Sequence, residues 1–514
     1  MAASAAADPR EAAAARGRQP PAGGCRTPTS SGRKIMSDRI PAGASPSGTG
    51  VQAAKGRFSI VSGAKGDYIY LPESCSILEA PEVVISALDA FRSDAFAKNL
   101  PGEKPHESAA RNFFGDIANN QPPLPGSRRP DETGVKDLVL NISQICNLAC
   151  SYCYAEELNK SKKVMLPETC RAAIDKALEL SRNGLKSLKF LGGEPALAFE
   201  EIRVAVDYVT ERSTQLDFAP PAFVIVTNGT RITDEMISYF AAKNFYVLVS
   251  LDGPKDIHDQ LRPFSGGKGS YDKVYKTLEK FIAAEVPVAI ETVYTRSHHK
   301  SGFSVNDVVE HILELGIREM QITLALGSWH GEGAYAEIEQ VSCDFSEAAR
   351  NCIRSFRSDD PFLLRGIQFV IDGFANRTRN THVCGAGRSF MAVNYDGEAF
   401  PCYLLESEET SYGFIGKDWD ADRYAQISKR FVENGKDYHD TCGQCWANEI
   451  CQSCLGSTFL LEKKIAKPPA WFCAVQKTLI SAVLGEIGDA LNSQDKNRFL
   501  DNLAAFLKPR GFET

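Results

Sequence analysis

The chain has 514 residues, 43% of them hydrophobic and 24% charged, with a formal net charge of −7. This is the composition of a folded globular protein of about three domains. The acidic balance removes any general electrostatic case for binding nucleic acid or an anionic membrane surface, and no uninterrupted apolar run reaches the roughly 18 residues that crossing a bilayer takes. Fifteen cysteines are present and ten of them fall within 146–153 and 384–473. That grouping reads as metal or cluster binding in a reducing, cytoplasmic setting rather than as a disulfide framework.

Residues 1–55 are rich in Ala, Gly, Pro, Ser and Arg and hold almost no large apolar residue. Such a segment cannot bury a core and reads as a disordered extension. It lacks the apolar core of a secretory signal, and a start at Met36 is an alternative reading of it. Residues 56–96 form a small unit: RFSIVSGAKGDYIYLPE (57–73) predicts a β-hairpin around a Gly/Lys/Asp turn, and PEVVISALDAFRS (81–93) predicts an amphipathic helix. Residues 97–135 are polar and proline-rich and read as a linker.

From 136 to 330 apolar strand-like runs alternate with helical stretches. The runs are 137–143, 187–193, 223–229, 246–253, 286–295 and 319–326, with helical patterns at 167–183, 198–215, 232–243, 271–284 and 304–315. Alternation at this spacing implies α/β architecture with a parallel sheet and helices outside it. Six repeats suit an open sheet or a partial (β/α)6 barrel, and in both the functional loops follow the C-terminal ends of strands. Four motifs occupy that rim. CNLACSYCYA (146–155) follows the first strand, GGEP (192–195) the second, TNG (227–229) the third and SLDG (250–253) the fourth. Residues 331–380 read as connecting helices, 381–475 as a turn-rich segment that needs metals to hold it together, and 476–514 as a C-terminal helix pair.

Cys146, Cys150 and Cys153 supply three thiols, one short of a closed metal site. They suit zinc with a distant fourth ligand, or an iron–sulfur cluster with one iron open. Together with GGEP one strand later, the motif resembles the radical S-adenosylmethionine (SAM) superfamily. The resemblance implies a 4Fe–4S cluster on Cys146, Cys150 and Cys153 whose fourth iron is chelated by SAM itself, and reductive cleavage of SAM to methionine and a 5′-deoxyadenosyl radical. It also implies that Gly192 and Gly193 let the backbone approach the SAM amino group, that Glu194 offers it an acceptor, and that Pro195 completes the turn. The stretch SLDGPKDIHDQLRPFSGGKGSYDKV (250–274) is similar to the corresponding segment of sulfatase maturases and peptide-modifying radical SAM enzymes. By that likeness Ser250 and Arg262 bind the SAM ribose or carboxylate, the latter suited to a planar guanidinium fork. Asn228 would also line the SAM pocket, while His258 and Asp259 would fix the local loop.

The C-terminal cysteines give a second pattern: Cys384, then Gly397-x4-Cys402, then Cys442-x2-Cys445-x5-Cys451-x2-Cys454, then Cys473. Paired CxxC motifs alone suit a zinc ribbon, but the full pattern resembles the SPASM domain, which carries two auxiliary 4Fe–4S clusters. The resemblance implies one cluster on Cys384, Cys402 and Cys454 and another on Cys442, Cys445, Cys451 and Cys473, three 4Fe–4S clusters in all. Two departures stand out. Only Gln452 and Ser453 separate Cys451 from Cys454 where relatives have three residues, and no cysteine lies in the RTRNTHV stretch before Cys384. The second departure implies an open iron on the first auxiliary cluster, a place for a substrate thiolate. A third concerns Tyr403, which stands where sulfatase maturases carry the aspartate base; an unperturbed tyrosine, with a pKa of about 10, is a poor base near neutral pH.

The sequence thus reads as a partial (β/α)6 barrel between an N-terminal hairpin-plus-helix unit and a C-terminal cysteine-rich two-cluster domain. The resemblance implies an enzyme, a radical SAM maturase that abstracts hydrogen from a polypeptide and forms Cys-to-carbon thioether crosslinks, loosely similar to the maturases of quinohemoprotein amine dehydrogenases. An external donor such as flavodoxin or ferredoxin would reduce it, with no nucleic acid or membrane partner. The N-terminal unit suits either leader-peptide binding by strand addition or capping of the barrel. The alternatives are a formylglycine-forming or carbon–carbon crosslinking maturase and, in another class, a non-enzymatic iron–sulfur or zinc electron carrier. No catalytic side chain is assigned beyond the SAM cluster.

Overall fold

The computed structural model describes residues 38–39, 57–72, 75–82, 84–85, 134–155, 161–329, 334–376, 380–465 and 467–507. Nearly all of the 1–55 extension, all of 97–133 and all but the first turn of the helix expected at 81–93 lie outside the described residues.

Six strands run parallel and in sequence order: β5 (Asp137–Ser143), β6 (Ser187–Gly192), β7 (Ala222–Thr227), β8 (Tyr246–Ser250), β9 (Val288–Tyr294) and β10 (Glu319–Leu324). Helices Pro167–Glu179, Phe199–Gln215, Asp234–Ala242, Tyr271–Ala283 and Val305–Glu314 cross between them. The sheet curls into a partial barrel because alternate residues on each strand have different neighbours. On β5, Leu138, Leu140 and Ile142 pack outward into the main core with Ala173, Ile174 and Ala177 of the first crossover helix and Ile202 and Val206 of the second. Val139, facing inward, packs with Leu191 and Ala392. Helix starts are fixed locally: Thr233 accepts from Met236 N, and Ser304 and Asp307 form a reciprocal capping box.

The sheet does not stop at the sixth strand. β11 (Leu363–Leu364) pairs parallel with β10 at one edge. At the other edge β12 (Phe390–Asn394) pairs parallel with β5, followed by the antiparallel β13 (Glu398–Phe400) and β14 (Gly413–Phe414). The cysteine-rich segment is therefore stitched into the barrel sheet, in register Asn394 to Asn141.

The N-terminal residues form a separate sheet: β1 (Asp38–Arg39), β2 (Arg57–Ser62), β3 (Asp67–Leu71) and β4 (Ser76–Glu79). The β2–β3 hairpin is as the sequence predicts; β4 is an added strand. This sheet seats on helix Ala470–Leu491, whose buried Asp489 accepts from Ala64 N at 2.5 Å, Lys65 N at 3.0 Å and Tyr68 Oη at 2.7 Å. By length and composition this helix could cross a membrane, although no uninterrupted apolar run in the sequence suggests one. In the fold its C-terminal half is packed inside the protein, with residues 479–490 buried throughout.

Candidate active site

The Cys146 loop is clamped from two sides. Ser143 O, at the end of β5, accepts from Gly193 N at 2.6 Å, and Ile145 O accepts from Glu194 N at 2.7 Å. From the other side Ala149 N donates to Pro263 O at 2.8 Å and Ser151 N to Leu261 O at 3.0 Å. GGEP and the segment before Phe264 thus grip the loop by its backbone. Gly192 is required by this grip: its φ is +131° and a Cβ there would lie 2.1 Å from Ser143 O. The freedom expected to admit SAM is, at Gly192, needed for the Ser143 carbonyl.

Cys146, Cys150 and Cys153 are partly buried, form no disulfide, and lie within electrostatic reach of one another. Burial pushes the Cys150 thiol up to about 11, opposed by the nearby Arg262. Asn228 Nδ2 donates to Asn147 Oδ1 at 3.0 Å and reaches Cys146 Sγ at 3.9 Å, while its Oδ1 accepts from Thr230 N and Oγ1. Asn228 therefore positions the first cysteine.

Glu194 is fully buried, not facing the mouth. Its Oε1 accepts from Ala196 N at 3.0 Å and Thr227 Oγ1 at 2.6 Å, and its Oε2 from Asn228 N at 2.6 Å. The carboxylate ties β6 to β7 and caps the short Pro195–Ala198 turn. The donors to this carboxylate all come from within the protein. Pro195 is buried at the start of that turn, and Ser250 ends β8 half-buried, in register with Glu291.

Arg262 and Asp252 form a buried ion pair, Nε to Oδ2 at 2.9 Å. Tyr152, between the second and third cysteines, donates to the same Oδ2, and the Arg262 guanidinium lies 5.3 Å from the Tyr152 ring centre. Asp252 Oδ1 accepts from Val293 N at 3.1 Å. His258 Nδ1 accepts from Asp252 N at 3.2 Å and its Nε2 meets Ser270 Oγ at 3.0 Å, so His258 and Asp259, which accepts from Tyr271 N at 2.8 Å, hold the loop. The Arg262 Nη groups make no hydrogen bond among the described residues. Tyr152 and Asp252 were not singled out from the sequence; the tyrosine inside the cysteine motif and the Asp of SLDG were the available signals.

The remaining cysteines fall into two groups. Cys384, Cys402 and Cys454 are mutually within electrostatic reach, as are Cys442, Cys445, Cys451 and Cys473. Cys454 Sγ accepts from Ser457 N at 3.3 Å at the start of helix Leu455–Glu462. Beside the second group sits buried Lys436, whose Nζ donates to Asn448 O at 2.6 Å; burial pushes its pKa down to about 8 against the pull of Cys451. Tyr403, next to Cys402, meets Tyr154, next to Cys153, with ring centres 6.3 Å apart.

The family model for the radical SAM superfamily matches residues 140–318. That segment is a radical SAM domain. An uncharacterized protein of Methanocaldococcus jannaschii is 32% identical over 37% of this chain and 63% of its own length; this chain thus spans less than two thirds of that relative. The cysteine-type anaerobic sulfatase-maturating enzyme of Clostridium perfringens is 24% identical over 61% of this chain and 87% of its own. The solved structure of anSMEcpe with bound AdoMet has the same fold, with a TM-score of 0.60 at 20% identity over 73% of this chain and 99% of that one; a second anSMEcpe structure also holds a Cp18Cys peptide.

The residues of the radical SAM domain fit the cofactor set of its superfamily. Among the described residues no three side chains converge as ligands of a single metal ion. A four-iron cluster takes one thiolate per iron, so its thiols surround a volume rather than a point. Three thiols beside a buried arginine have the donor chemistry for that arrangement, and a bound thiol is deprotonated outright. Arg262, with Nε fixed and both Nη groups open, retains a fork for a carboxylate.

Proposed function

We propose that the chain is a radical SAM maturase of a polypeptide substrate that forms a thioether between a substrate cysteine and a carbon of another residue. The observation that carries the reading is the meeting of two cysteine loops. Tyr154 and Tyr403 bring the Cys146–Cys153 loop against the Cys402 loop, and the group at Cys402 has three thiols where the group at Cys473 has four. SAM and three 4Fe–4S clusters, when bound, supply the radical and the electron path. Cys146, Cys150 and Cys153 would hold the first; Cys384, Cys402 and Cys454 the second; Cys442, Cys445, Cys451 and Cys473 the third. An external flavodoxin- or ferredoxin-type donor would reduce them.

The chain's own side chains orient and shield. Arg262 would take the SAM carboxylate on its Nη groups while Asp252 and Tyr152 hold it still. Asn228 keeps Cys146 in place, and Ser250, at the end of β8, would bind the SAM ribose or carboxylate. The tyrosine pair spans the space between the loops. Burial pushes the Tyr403 hydroxyl well above its ordinary range, so it takes no proton near neutral pH.

One observation favours a second reading, oxidation of a side chain to formylglycine. Glu406, four residues past Cys402, is pushed up to about 7 by burial, within the range of a general base. The experiment that decides is the intact mass of a candidate polypeptide co-expressed anaerobically with this chain, against Cys153→Ala. Loss of two hydrogens with a thiol no longer alkylatable supports the thioether. Loss of sulfur supports formylglycine. Unchanged mass, with no 5′-deoxyadenosine formed on reduction with SAM, overturns both.

A further inference from the structure

Two opposite charges face the inside of the barrel and form no ion pair among the described residues. Lys189 stands on β6, in register with Val139 of β5 and two residues before Leu191, and Val139 and Leu191 pack together inside the barrel. Glu291 stands on β9, two residues past Ala289, which packs with Val224, Tyr246 and Leu248. Side chains two apart on a strand share a face, so both charges point into the lumen. Their strands have β7 and β8 between them, and the curl of the sheet sets them across the lumen from each other. Among the described residues neither side chain makes a hydrogen bond. The charges around them are committed. Arg365 pairs with Glu319 at 2.6 Å and stands over the Tyr246 ring at 4.9 Å, and Arg262 Nε pairs with Asp252 at 2.9 Å. The Asp137 carboxylate accepts from the hydroxyl of Ser187 at 2.7 Å.

Lys189 and Glu291 are within electrostatic reach of each other but too far apart to pair. Both are half-buried, and neither charged end is sealed in protein, so the space between them is open. That space borders the meeting of the two cysteine loops. Tyr403 packs on the inner cluster of Val139 and Leu191, Glu291 lies within electrostatic reach of Tyr154 and Tyr403, and Lys189 within reach of Cys402. An ammonium only donates hydrogen bonds and a carboxylate only accepts them. A ligand charge that satisfied one would leave the other unbalanced in a low-dielectric site, which is costly. A neutral group that accepts on one side and donates on the other satisfies both. The amide does so, and in a trans peptide its C=O and N–H point in opposite directions, one to each wall.

We propose that Lys189 and Glu291 clamp an amide of the polypeptide substrate, with its carbonyl oxygen accepting from Lys189 Nζ and its N–H donating to the Glu291 carboxylate. The amide belongs to the main chain beside the modified residue or to an Asn or Gln side chain. Opposed walls suit the main chain, whose donor and acceptor are themselves opposed, better than a carboxamide, whose two ends fork from one carbon. Main-chain recognition here holds the reacting residue without selecting its side chain. It also sets the substrate next to Ser250, the register partner of Glu291, and so next to the residue assigned to SAM. The clamp rests on the maturase reading and deepens it by naming the part of the substrate that is held.

The test uses the full chain, purified anaerobically with SAM present, and a fluorescent, terminally blocked peptide of alanine and serine with one central cysteine. This parent peptide carries no charge and no side-chain amide. Ester analogues remove one N–H at a time on either side of the cysteine, and two more analogues carry Gln or Asp beside it. By anisotropy, one ester analogue should bind about tenfold more weakly than the parent, the order of one hydrogen bond to a charged group. Glu291→Leu should weaken the parent to the same degree and erase the ester effect, as a direct pair does in a double-mutant cycle. Lys189→Met should weaken the parent as well. Lys189→Met with Glu291→Leu leaves the lumen neutral, so it folds without an uncompensated charge, and it should show the same loss. Ester analogues that all bind like the parent, with the Gln peptide tighter and that gain lost in Glu291→Leu, assign the clamp to a side-chain carboxamide. Parent affinity unchanged in all three variants overturns the proposal, as does a wild type that binds none of the peptides. A tighter grip on the Asp peptide that Lys189→Met abolishes overturns it in favour of a carboxylate site. A matching loss of SAM affinity in Glu291→Leu overturns it by giving that carboxylate to SAM. Release of 5′-deoxyadenosine by the wild type is measured alongside: its absence sinks the maturase reading, whereas the peptide comparison sinks only the clamp.

Discussion

Tyr152 and Arg262 converge on one carboxylate oxygen, Asp252 Oδ2. Burial alone would push the Asp252 carboxyl up; Arg262, His258 and the Tyr152 hydroxyl more than offset it and hold it below the ordinary range. The arrangement links a residue inside the cysteine motif to the arginine fork that would face SAM. Tyr152→Phe keeps the ring under the guanidinium and removes only the hydroxyl. A hydrogen bond to a buried charge contributes about 1.5–3 kcal/mol, so the variant should lose thermal stability and bind SAM several-fold more weakly, with iron content after reconstitution unchanged. Calorimetry and SAM titration check this. Wild-type SAM affinity in Tyr152→Phe would mean the tyrosine does not position Arg262.

A pH dependence follows from the same loop. His258 accepts from Asp252 N and must be neutral to do so; burial pushes its pKa down to about 4, and burial does the same to His311. Both imidazoles ordinarily titrate near 6.5. Between pH 6.5 and 4 the unfolded chain therefore binds more protons than the folded one, so stability falls as pH falls through that window and is complete above it. Tm measured on the cluster-free chain, where acid loss of iron does not enter, should drop steadily from pH 6.5 to 4.5. His258→Gln should flatten part of that slope, and a slope unchanged in the variant would assign the effect elsewhere.

The barrel was legible because its strands and crossover helices carry opposite periodicities over long stretches, and because parallel strands put successive loops on one rim. All four rim motifs could be placed from that alone. The cysteine groupings could be carried only by resemblance, since spacing does not say which thiols meet; the fold brings Cys454 to Cys384 and Cys402 rather than to Cys451 three residues before it. The buried tie made by Glu194 was hidden because GGEP looks like a loop presented to a ligand. Nothing local indicates that Thr227, Asn228 and Ala196 all turn their donors inward to it. The pairing of β12 with β5 was equally hidden: Phe390–Asn394 is short, isolated in a turn-rich region, and acquires a strand's role only from its neighbours in the sheet, where Ala392 packs beside Val139 and Leu191.

One carboxylate anchors the turn of the N-terminal sheet, beside the packing of Val61, Tyr68 and Tyr70 in the main core. Asp489 receives two backbone donors from the β2–β3 turn and the Tyr68 hydroxyl, and a Cβ on Gly63 would lie 2.4 Å from its Oδ1. Asp489→Ala leaves those donors unpaired, a loss of about 2–5 kcal/mol. Hydrogen exchange should quicken at Ala64 and Lys65 and along β3, with little change on β5–β10. Uniform acceleration across the barrel would show that the two sheets unfold as one unit.

The auxiliary cysteines can be separated from the radical-forming ones by what each loss removes. Cys153→Ala takes a thiol from the Cys146 loop and should abolish 5′-deoxyadenosine formation. Cys473 sits in the first turn of helix Ala470–Leu491, with its amide bonded to Pro469 O at 3.1 Å, in a group whose charge Lys436 partly balances. Cys473→Ala should lower iron content and product while sparing a substantial share of 5′-deoxyadenosine, because the Cys146 loop is clamped by GGEP and residues 261–263 rather than by the C-terminal segment. Chromatographic assay of 5′-deoxyadenosine and mass spectrometry of product on the same samples separate the two effects. Equal loss of both in Cys473→Ala, with Tm also reduced, would mean that this group holds the fold together and that its role in electron transfer needs another variant, Lys436→Met, to expose it. That substitution leaves every thiol in place and removes the nearby positive charge, so product formation should slow while iron content holds.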